Sequence, residues 1–207
     1  MSNLADRPIS PRGQRTKEAL VLAGTNLLAD GGWEAVTTRA VAALASSNAG
    51  LIHYHFGGLA GLRVAIAQYA GEIAIGPIIG VFLESDDFTS ALASLRSAIA
   101  ALASDDRRVK LATELVAGAG HDPALGESFR AQLVDARAAL TAWVARQRPH
   151  WPTERVVGVA ALLAALLDGL LLQRAVDEST PVNEVLMALG MWLELDAPPQ
   201  ASGTEPS

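Results

Sequence analysis

The sequence predicts an all-α protein with a small N-terminal three-helix module and a larger helical C-terminal body. Apolar residues recur at helical spacing along most of the 207-residue chain, and half of all residues are apolar. No stretch alternates apolar and polar residues as a half-buried strand does. Clusters of Gly, Pro, Asp and Ser separate the helical segments. The length suits one small module and one larger body, each with its own core.

The first predicted helix covers residues 14–30. Its inward face consists of small and branched apolar residues: Ala19, Leu20, Ala23, Leu27 and Leu28. Gly31 and Gly32 are expected to end it, and Trp33 is expected to pack across the bottom of the module. Residues 1–13 lack an apolar run and are predicted to be a disordered arm. Arg12 and Arg15 either follow a DNA backbone from this arm or belong to an ordinary solvated tail.

Residues 37–56 have the pattern of a helix-turn-helix. Thr37 or Thr38 can cap a short helix, and Ser46 and Ser47 break it. Asn48 then caps a second helix whose first turn, Ala49-Gly50-Leu51, is slim enough to approach base edges in a major groove. At its far end, Tyr54 and His55 can donate to phosphate oxygens while Phe56 turns into the core.

The segment from about residue 15 to 62 resembles the DNA-binding domain of the TetR/AcrR family of transcriptional regulators. The resemblance includes Asp30-Gly31-Gly32-Trp33 after the first helix, the Thr-rich start of the second, Gly50-Leu51-Ile52 and the closing Tyr54-His55-Phe56. Three positions differ from the family pattern. Ser46 replaces a turn glycine, Ser47 replaces a buried valine, and Leu59 replaces a lysine that reaches the DNA backbone. We therefore expect one phosphate contact fewer per subunit, and a strained turn if Ser46 needs a positive φ.

The motif and the resemblance together predict a DNA-contacting set. Its members are Arg15, Thr38, Arg39, Asn48, Ala49, Gly50, Leu51, His53, Tyr54 and His55. The net charge is −6, which excludes a protein that coats nucleic acid but not one that touches DNA through a small face. Residues 1–62 carry +1 and the remainder −7, so the charge distribution points the N-terminal part at DNA.

The rest of the chain is predicted to be helical up to a disordered tail at residues 197–207. A helix from residue 59 ends or kinks at Gly76-Pro77, or a separate helix begins at Ile78. The following helices are expected at residues 88–104, 107–117, 123–148, 152–176 and 181–195, and Asp86 or Asp87 is expected to cap the first of them. The predicted domains are a helix-turn-helix DNA-binding domain at 14–62 and a ligand-binding and dimerisation domain at 63–196. In the resembled family the fourth helix connects the two.

The apolar run at residues 156–172 contains one charge, Asp168, and falls short of the roughly 20 residues that a membrane span needs. A helix that is apolar almost all round must be buried on most faces. We therefore expect one face on its own core and another on a twofold-related copy, as in the resembled family. Small residues would allow close approach: Gly158, Ala161, Ala165 and Gly169. Leu186, Leu189, Met191 and Trp192 of the last helix would complete the interface.

No pattern of catalytic or cofactor-binding residues appears in the sequence. There is no cysteine, no glycine-rich phosphate loop and no metal-ligand spacing among the four histidines, so we expect no enzyme, metal or cofactor. The sequence predicts a cytoplasmic homodimeric repressor that an apolar or aromatic small molecule releases from a palindromic operator, with no membrane partner. The alternative is a ligand-binding helical dimer with weak or lost DNA binding. Candidate ligand contacts, each of which could instead be core, are Phe82, Glu114, Phe129, Trp143 and Asp168.

Overall fold

The computed structural model describes residues 10–177 and 179–194, and within these ranges every regular element is an α-helix. The helices are α1 (Pro11–Ala35), α2 (Thr38–Leu44), α3 (Ala49–Phe56), α4 (Leu59–Ala74), α5 (Gly76–Glu84), α6 (Phe88–Ala103), α7 (Asp106–His121), α8 (Pro123–Gln147), α9 (Thr153–Val176) and α10 (Val182–Glu194). The predicted all-α class is confirmed. The predicted tail at residues 197–207 and the first nine residues lie outside the described part of the chain.

Side-chain caps fix the beginnings of three helices where the sequence predicted them. Thr37 Oγ1 accepts from Ala40 N at 3.2 Å and starts α2. Asn48 Oδ1 accepts from Gly50 N at 2.7 Å and starts α3. Asp87 forms a capping box with Ser90 at the start of α6. Each cap satisfies a backbone donor that the first helical turn leaves without a partner.

α1 is longer than predicted at both ends. Ser10 Oγ accepts from Gly13 N at 3.2 Å, so residues 11–13, which we expected in the disordered arm, form the first helical turn. At the other end Gly32 has φ 71° and ψ −174°, which breaks the helical geometry. The chain then resumes a helical turn through Ala35. Gly32 therefore produces a kink where we predicted a helix end.

α7 continues four residues beyond its predicted end. We expected a turn at residues 118–122, but the helix continues to His121, and Asp122 caps α8. Gly118 is buried here, and a Cβ at this position would lie 2.4 Å from Nε1 of Trp33. The glycine is thus required for close packing with the indole, and its sequence neighbours gave no sign of that role.

The break at Gly76-Pro77 is confirmed, because α4 and α5 meet at an angle of 48°. α5 begins at Gly76, two residues earlier than the predicted start. Pro77 occupies the first turn of α5, where its missing N–H leaves no helical hydrogen bond unmade.

The buried apolar side chains form two clusters. The first joins α1–α4 to three leucines from α7 and α8: Leu111, Leu115 and Leu125. The second fills the C-terminal body and includes Phe82, Leu95, Trp143, Leu163 and Leu186. The core of the N-terminal module is therefore completed by side chains from the C-terminal body.

α9 has the length and composition of a membrane span. The sequence predicted instead that its apolar run at residues 156–172 is too short for one. The stretch Thr153–Arg174 has a mean hydropathy of 2.1, and a third of its most apolar window is buried. The α4–α5 pair also meets these criteria when taken together, despite its bend. Core helices of soluble proteins meet them too, and α9 packs on α8 and α6 through Val159, Leu163 and Leu167. Its remaining faces are exposed within a single chain.

Candidate nucleic-acid interface and effector cavity

α3 is held to the module by one fully buried side chain. Ile52 is inaccessible to solvent and belongs to the same cluster as Val41 and Ala42 of α2. Because Ile52 is the buried residue of α3, the other faces of this two-turn helix point outward. Neither α2 nor α3 contains an acidic residue, so no carboxylate on these helices repels a phosphate backbone.

The first turn of α3 is open on its outer side. Gly50 and Leu51 are exposed and Ala49 is half-buried. The cap bond to Gly50 N uses one lone pair of Asn48 Oδ1, so this exposed side chain can still offer its amide N–H groups and the second lone pair to a ligand. His53 lies one turn further along, with its Nδ1 3.5 Å from where a Cβ on Gly58 would stand.

The turn between α2 and α3 contains a strained serine. Ser46 has φ 48°, and within the described residues it is the one non-glycine residue in the left-handed region. This is the position where the sequence predicted strain if a positive φ were needed. Ser47 is half-buried and donates its backbone N–H to Ala42 O at 2.9 Å, which closes the turn.

The C-terminal end of α3 is aromatic and mostly outward. Tyr54 is 79% exposed, and its ring meets His55 edge to face with centroids 4.9 Å apart. Phe56 is half-buried against the first cluster, as its predicted inward role requires. Leu59 also packs on that cluster, so the leucine that replaces the family lysine has an apolar contact here.

The remaining predicted DNA contacts lie around α3. Arg39 of α2 and Arg15 of α1 are exposed, and Thr38 is half-buried at the start of α2. Another basic residue of α1 lies at the end of α3, namely Lys17, whose ammonium group lies over the ring of Phe56. Arg12 of the same helix is exposed. Lys17 was absent from the predicted set because its spacing from the motif carries no signal; only the fold brings it to the end of α3.

The C-terminal body contains a cavity of about 470 Å³ between α4, α6, α7, α8 and α9. Most of its lining is aliphatic, from Ile75, Leu133, Leu171 and Leu172 among others, and Thr113, Asp168 and Arg174 are its polar members. A smaller cavity of about 160 Å³ shares Ile75, Leu133, Asp168 and Leu171 with it. The larger volume lies in the range of small-molecule sites.

Of the five candidate ligand contacts, Phe129 and Asp168 line this cavity. Phe82 and Trp143 do not line it: both are fully buried in the second cluster, and Trp143 Nε1 donates to Ser85 O at 3.0 Å. Their rings meet edge to face with centroids 5.2 Å apart, so they belong to the core. Glu114 faces the other side of α7 and accepts from Trp33 N at 3.3 Å. Helical periodicity shows which positions are buried but not which element covers them.

Asp168 is the carboxylate of the cavity lining. Asp168 keeps a solvent-exposed surface, but partial desolvation by its aliphatic neighbours raises its pKa, and the guanidinium of Arg137 in the smaller cavity partly opposes that shift. Burial disfavours the charged form of a carboxyl group, which is the usual cause of such a rise. Among the described residues, no group of three or more His, Cys, Asp or Glu side chains could hold a metal ion.

The proposed interface residues of α9 and α10 divide into two sets. Gly158, Ala161 and Ala165 are exposed and Gly169 is half-buried, and no atom lies within 4 Å of a Cβ built on either glycine. Met191 and Trp192 are also exposed. Leu186 and Leu189 are not available to a partner as we expected, because both are buried in the second cluster of the same chain.

Sequence reasoning missed the polar contacts that hold the end of α1. Arg63 Nη2 donates to Trp33 O at 3.1 Å and to Val36 O at 3.2 Å. Trp33 Nε1 donates to Glu114 O at 2.8 Å, so the indole packs against the first cluster and also bonds to α7, a partner that we did not predict. These partners are separated by 27 to 81 residues along the chain. A local pattern cannot reveal contacts of this kind.

Two family models match the chain. The model for bacterial regulatory proteins of the tetR family matches residues 20–66, which contain the helix-turn-helix. The model for the C-terminal part of BetI-type transcriptional repressors matches residues 90–194, about half of the chain. A comparison with curated proteins found no significant match.

Solved structures share the fold over nearly their whole length. A protein described as a transcriptional regulator from Pseudomonas aeruginosa PAO1 is 20% identical, with a TM-score of 0.70 over 93% of this chain and 95% of that chain. A TetR-family protein from Mesorhizobium loti MAFF303099 is 16% identical, with a TM-score of 0.71 over 90% and 98%. The multidrug binding protein EbrR, complexed with imidazole, is 26% identical, with a TM-score of 0.62 over 84% and 93%.

Proposed function

Because the chain belongs to the TetR family of bacterial regulatory proteins, it is a DNA-binding transcriptional regulator, and we propose that it is a homodimeric repressor released from a palindromic operator by a small molecule. The proposal includes repression of transcription, a palindromic operator and release from it by a small molecule. It also includes action in the cytoplasm, where the DNA of a bacterium lies. The proposal depends on the observation that one chain combines a helix α3 with exposed outer faces and an apolar cavity in the C-terminal body.

The exposed first turn of α3 supports DNA reading. Gly50 and Leu51 present little bulk, so the backbone can approach base edges closely, and a leucine can contact a thymine methyl group. Arg39 and His53 are exposed on either side and carry donors that suit a guanine edge or another base acceptor. Tyr54 and His55 at the other end suit phosphate oxygens.

The cavity supports a small-molecule effector. Its volume of about 470 Å³ and its largely aliphatic lining favour an apolar or aromatic compound over a sugar or a nucleotide. EbrR binds imidazole in its structure, and a sequence identity of 26% lends some support to small-molecule binding here as well. The effector itself is a matter for screening.

The outer face of α9 and α10 supports a twofold dimer. Exposed apolar side chains follow one another along both helices: Val157, Leu162, Leu172, Val176, Met187, Met191 and Trp192. Gly158 and Gly169 have open space at their Cα atoms, so a second helix can approach the backbone closely. A monomeric protein that exposed so many apolar side chains on two helices would tend to aggregate, whereas a second copy would cover them.

Operator selection from random-sequence DNA tests the DNA-binding part. The wild-type protein should enrich a palindrome whose half-sites lie about one helical turn apart or slightly more. On that operator, Arg39→Ala and His53→Ala should each relax preference at one base pair by about 1–3 kcal/mol. Tyr54→Phe and His55→Ala should instead weaken all sequences nearly equally. Failure to enrich any sequence would favour the alternative, a ligand-binding dimer that has lost DNA binding.

A thermal-shift screen of apolar and aromatic compounds tests the effector. A compound that raises the melting temperature should weaken operator binding, and operator should weaken compound binding by the same factor. Phe129→Trp, which reduces the cavity, should abolish the shift, whereas Phe82→Leu in the core should lower the basal melting temperature and leave a shift. Stabilising compounds that leave operator affinity unchanged would contradict ligand-induced release.

A further inference from the structure

α7 carries two sets of contacts on opposite faces. Residues 107, 110, 114 and 118 are spaced three or four apart and share one face, which meets the end of α1. Val109, Ala112, Thr113, Val116 and Ala117 line the cavity from the other face. At 100° per residue the centres of the two sets lie about 140° apart around the helix axis, and Ala117 lies next to Lys110 where the sets meet. One rigid helix therefore touches both the cavity and the DNA-reading module.

The contacts on the first face are polar and converge on the kinked end of α1. Glu114 takes part twice: its carboxylate accepts from Trp33 N at 3.3 Å, and its backbone oxygen accepts from Trp33 Nε1 at 2.8 Å. Lys110 Nζ donates to Asp30 O at 2.8 Å, and Arg107 bonds to Asn26 and Asp30. A side chain at Gly32 would meet the Glu114 carboxylate at 3.0 Å, so this approach is close as well as bonded.

The end of α1 that α7 contacts leads directly into the helix-turn-helix. Three residues separate Trp33 from Thr37, the cap of α2. A helix of packed side chains moves as a body when its neighbours change, because protein interiors do not compress to absorb the change. A displacement of α7 at the cavity must therefore reach Trp33 at the same time.

We propose that Glu114 and Trp33 are positioning residues that transmit occupation of the cavity through α7 to the helix-turn-helix. This inference rests on the proposed function, because it assumes that an occupant of the cavity alters DNA binding. The competing route is α4, which lines the cavity with Ala74 and Ile75 and holds Trp33 O and Val36 O through Arg63. The two routes differ in whether the bonds between α7 and Trp33 are needed.

A cavity-filling substitution serves as the occupant, so the test needs no identified ligand. Leu133→Trp adds volume from α8, across the cavity from α7. It is combined with Trp33→Phe, which keeps an aromatic ring but removes the Nε1 donor, and separately with Glu114→Ala, which removes the carboxylate acceptor. Glu114→Gln is the matched control, because its amide oxygen can still accept from Trp33 N. Melting curves verify that each variant is folded. Trp33→Phe and Glu114→Ala remove different hydrogen bonds between α7 and Trp33, so each serves as a check on the other.

The readout is the factor by which Leu133→Trp changes operator affinity within each background. We expect about a tenfold loss in the wild type and in Glu114→Gln, and less than about threefold in Trp33→Phe and Glu114→Ala, in the range of ordinary allosteric couplings. An equal loss in all four backgrounds would overturn the inference and assign the signal to α4 or to Leu111 and Leu115, through which α7 also packs in the first cluster. If filling the cavity leaves wild-type affinity unchanged, the ligand response of the proposed function fails, and the inference fails with it.

Hydrogen exchange tests the inference without DNA. Leu133→Trp should accelerate amide exchange in α2 and α3 of the wild type and leave it unchanged in Trp33→Phe. This result would support the transmission route even if the protein selected no operator. If Leu133→Trp changed amide exchange equally in the wild type and in Trp33→Phe, the result would contradict the route, whatever the outcome for DNA binding.

Discussion

The ammonium group of Lys17 lies over the ring of Phe56, with 5.9 Å between Nζ and the ring centre. Phe56 ends α3, so this contact brings a cation of α1 to the end of the recognition helix. Breaking such a contact at a half-exposed site costs well under about 2 kcal/mol, so it holds the lysine only loosely in place. Lys17 can therefore supply a phosphate contact in place of the one that Leu59 lacks.

The first prediction is that Lys17→Ala makes operator binding less dependent on salt. Each phosphate contact contributes about 0.9 to the slope of log affinity against log salt, so a dimer should lose about 1.8. The measurement is a salt series with the selected operator. Arg130→Ala is the control, since Arg130 pairs with Glu127 on α8, and its slope should equal that of the wild type. Equal slopes for Lys17→Ala and Arg130→Ala would remove Lys17 from the interface.

The second prediction concerns Leu59→Lys, which restores the family residue. Leu59 packs on the first cluster, so we expect the lysine stem to keep part of this contact while its ammonium group reaches outward. The salt slope should steepen by about 0.9 per subunit. An unchanged slope would mean that this position does not face the DNA backbone, and the family role of the position would not apply here.

The third prediction is that Ser46→Gly stabilises the protein. The left-handed conformation at φ 48° costs a non-glycine residue roughly 1–2 kcal/mol, which is partly offset by the greater freedom of glycine in the unfolded chain. We expect the free energy of unfolding to rise by about 1 kcal/mol in urea titrations. Ser47→Gly, where φ is not positive, should give no gain. A loss at Ser46 as well would show that the hydroxyl does more than the backbone geometry indicates.

The fourth prediction links Asp168 to pH. Burial raises the pKa of this carboxyl, so its charged form costs stability at every pH above the folded-state pKa. Asp168→Asn should therefore raise the melting temperature at neutral pH. The gain should shrink as the pH falls through the folded-state pKa, because the protonated carboxyl is then neutral like the amide.

Asp87 provides the opposite case for comparison. Hydrogen bonds from Ser90 lower the pKa of Asp87, so its contribution is present above the unfolded-state pKa and is lost as the pH falls. Asp87→Asn should lower the melting temperature at neutral pH and have less effect in acid. At neutral pH the change in melting temperature should thus be positive for Asp168→Asn and negative for Asp87→Asn. If both changes had the same sign, burial would not be the cause of the Asp168 shift.

The fifth prediction tests the dimer. Leu162 is 47% exposed on α9, so Leu162→Glu should leave the chain folded while placing a charge in the proposed interface. We expect the dimer dissociation constant to rise at least about tenfold, or about 1.4 kcal/mol, in sedimentation equilibrium. Leu22→Glu on α1, at a similarly exposed leucine, should have no effect on assembly. Leu166 is a poorer site, since it packs on the chain's own core. A monodisperse wild-type monomer would contradict the dimer.

The sequence predicted those features that depend on neighbouring residues. The caps Thr37, Asn48 and Asp87 bond to donors two or three residues away, so the short segments around them contain all the information. The bend at Pro77 follows from the proline itself. The strained φ at Ser46 followed from the residue that the family pattern places at this turn.

Contacts between distant residues were not predictable in this way. Glu114 and Trp33 are 81 positions apart, and nothing in either local pattern indicates the other. Leu186 and Leu189 lie on a helix with apolar residues on several faces, and periodicity does not say which face meets the chain's own core. The cavity likewise depends on five helices at once, so only Phe129 and Asp168 of its lining were anticipated.

The first core cluster determines when the DNA-reading module can finish folding during synthesis. Leu111, Leu115 and Leu125 complete the cluster that begins with Leu20 of α1, and a ribosome makes α7 and α8 well after the helix-turn-helix. A nascent chain that stops before α7 leaves Leu28, Ile66 and their neighbours partly uncovered. The module is therefore not expected to bind DNA on the ribosome or as an excised fragment. It matures only once the body that regulates it has been made.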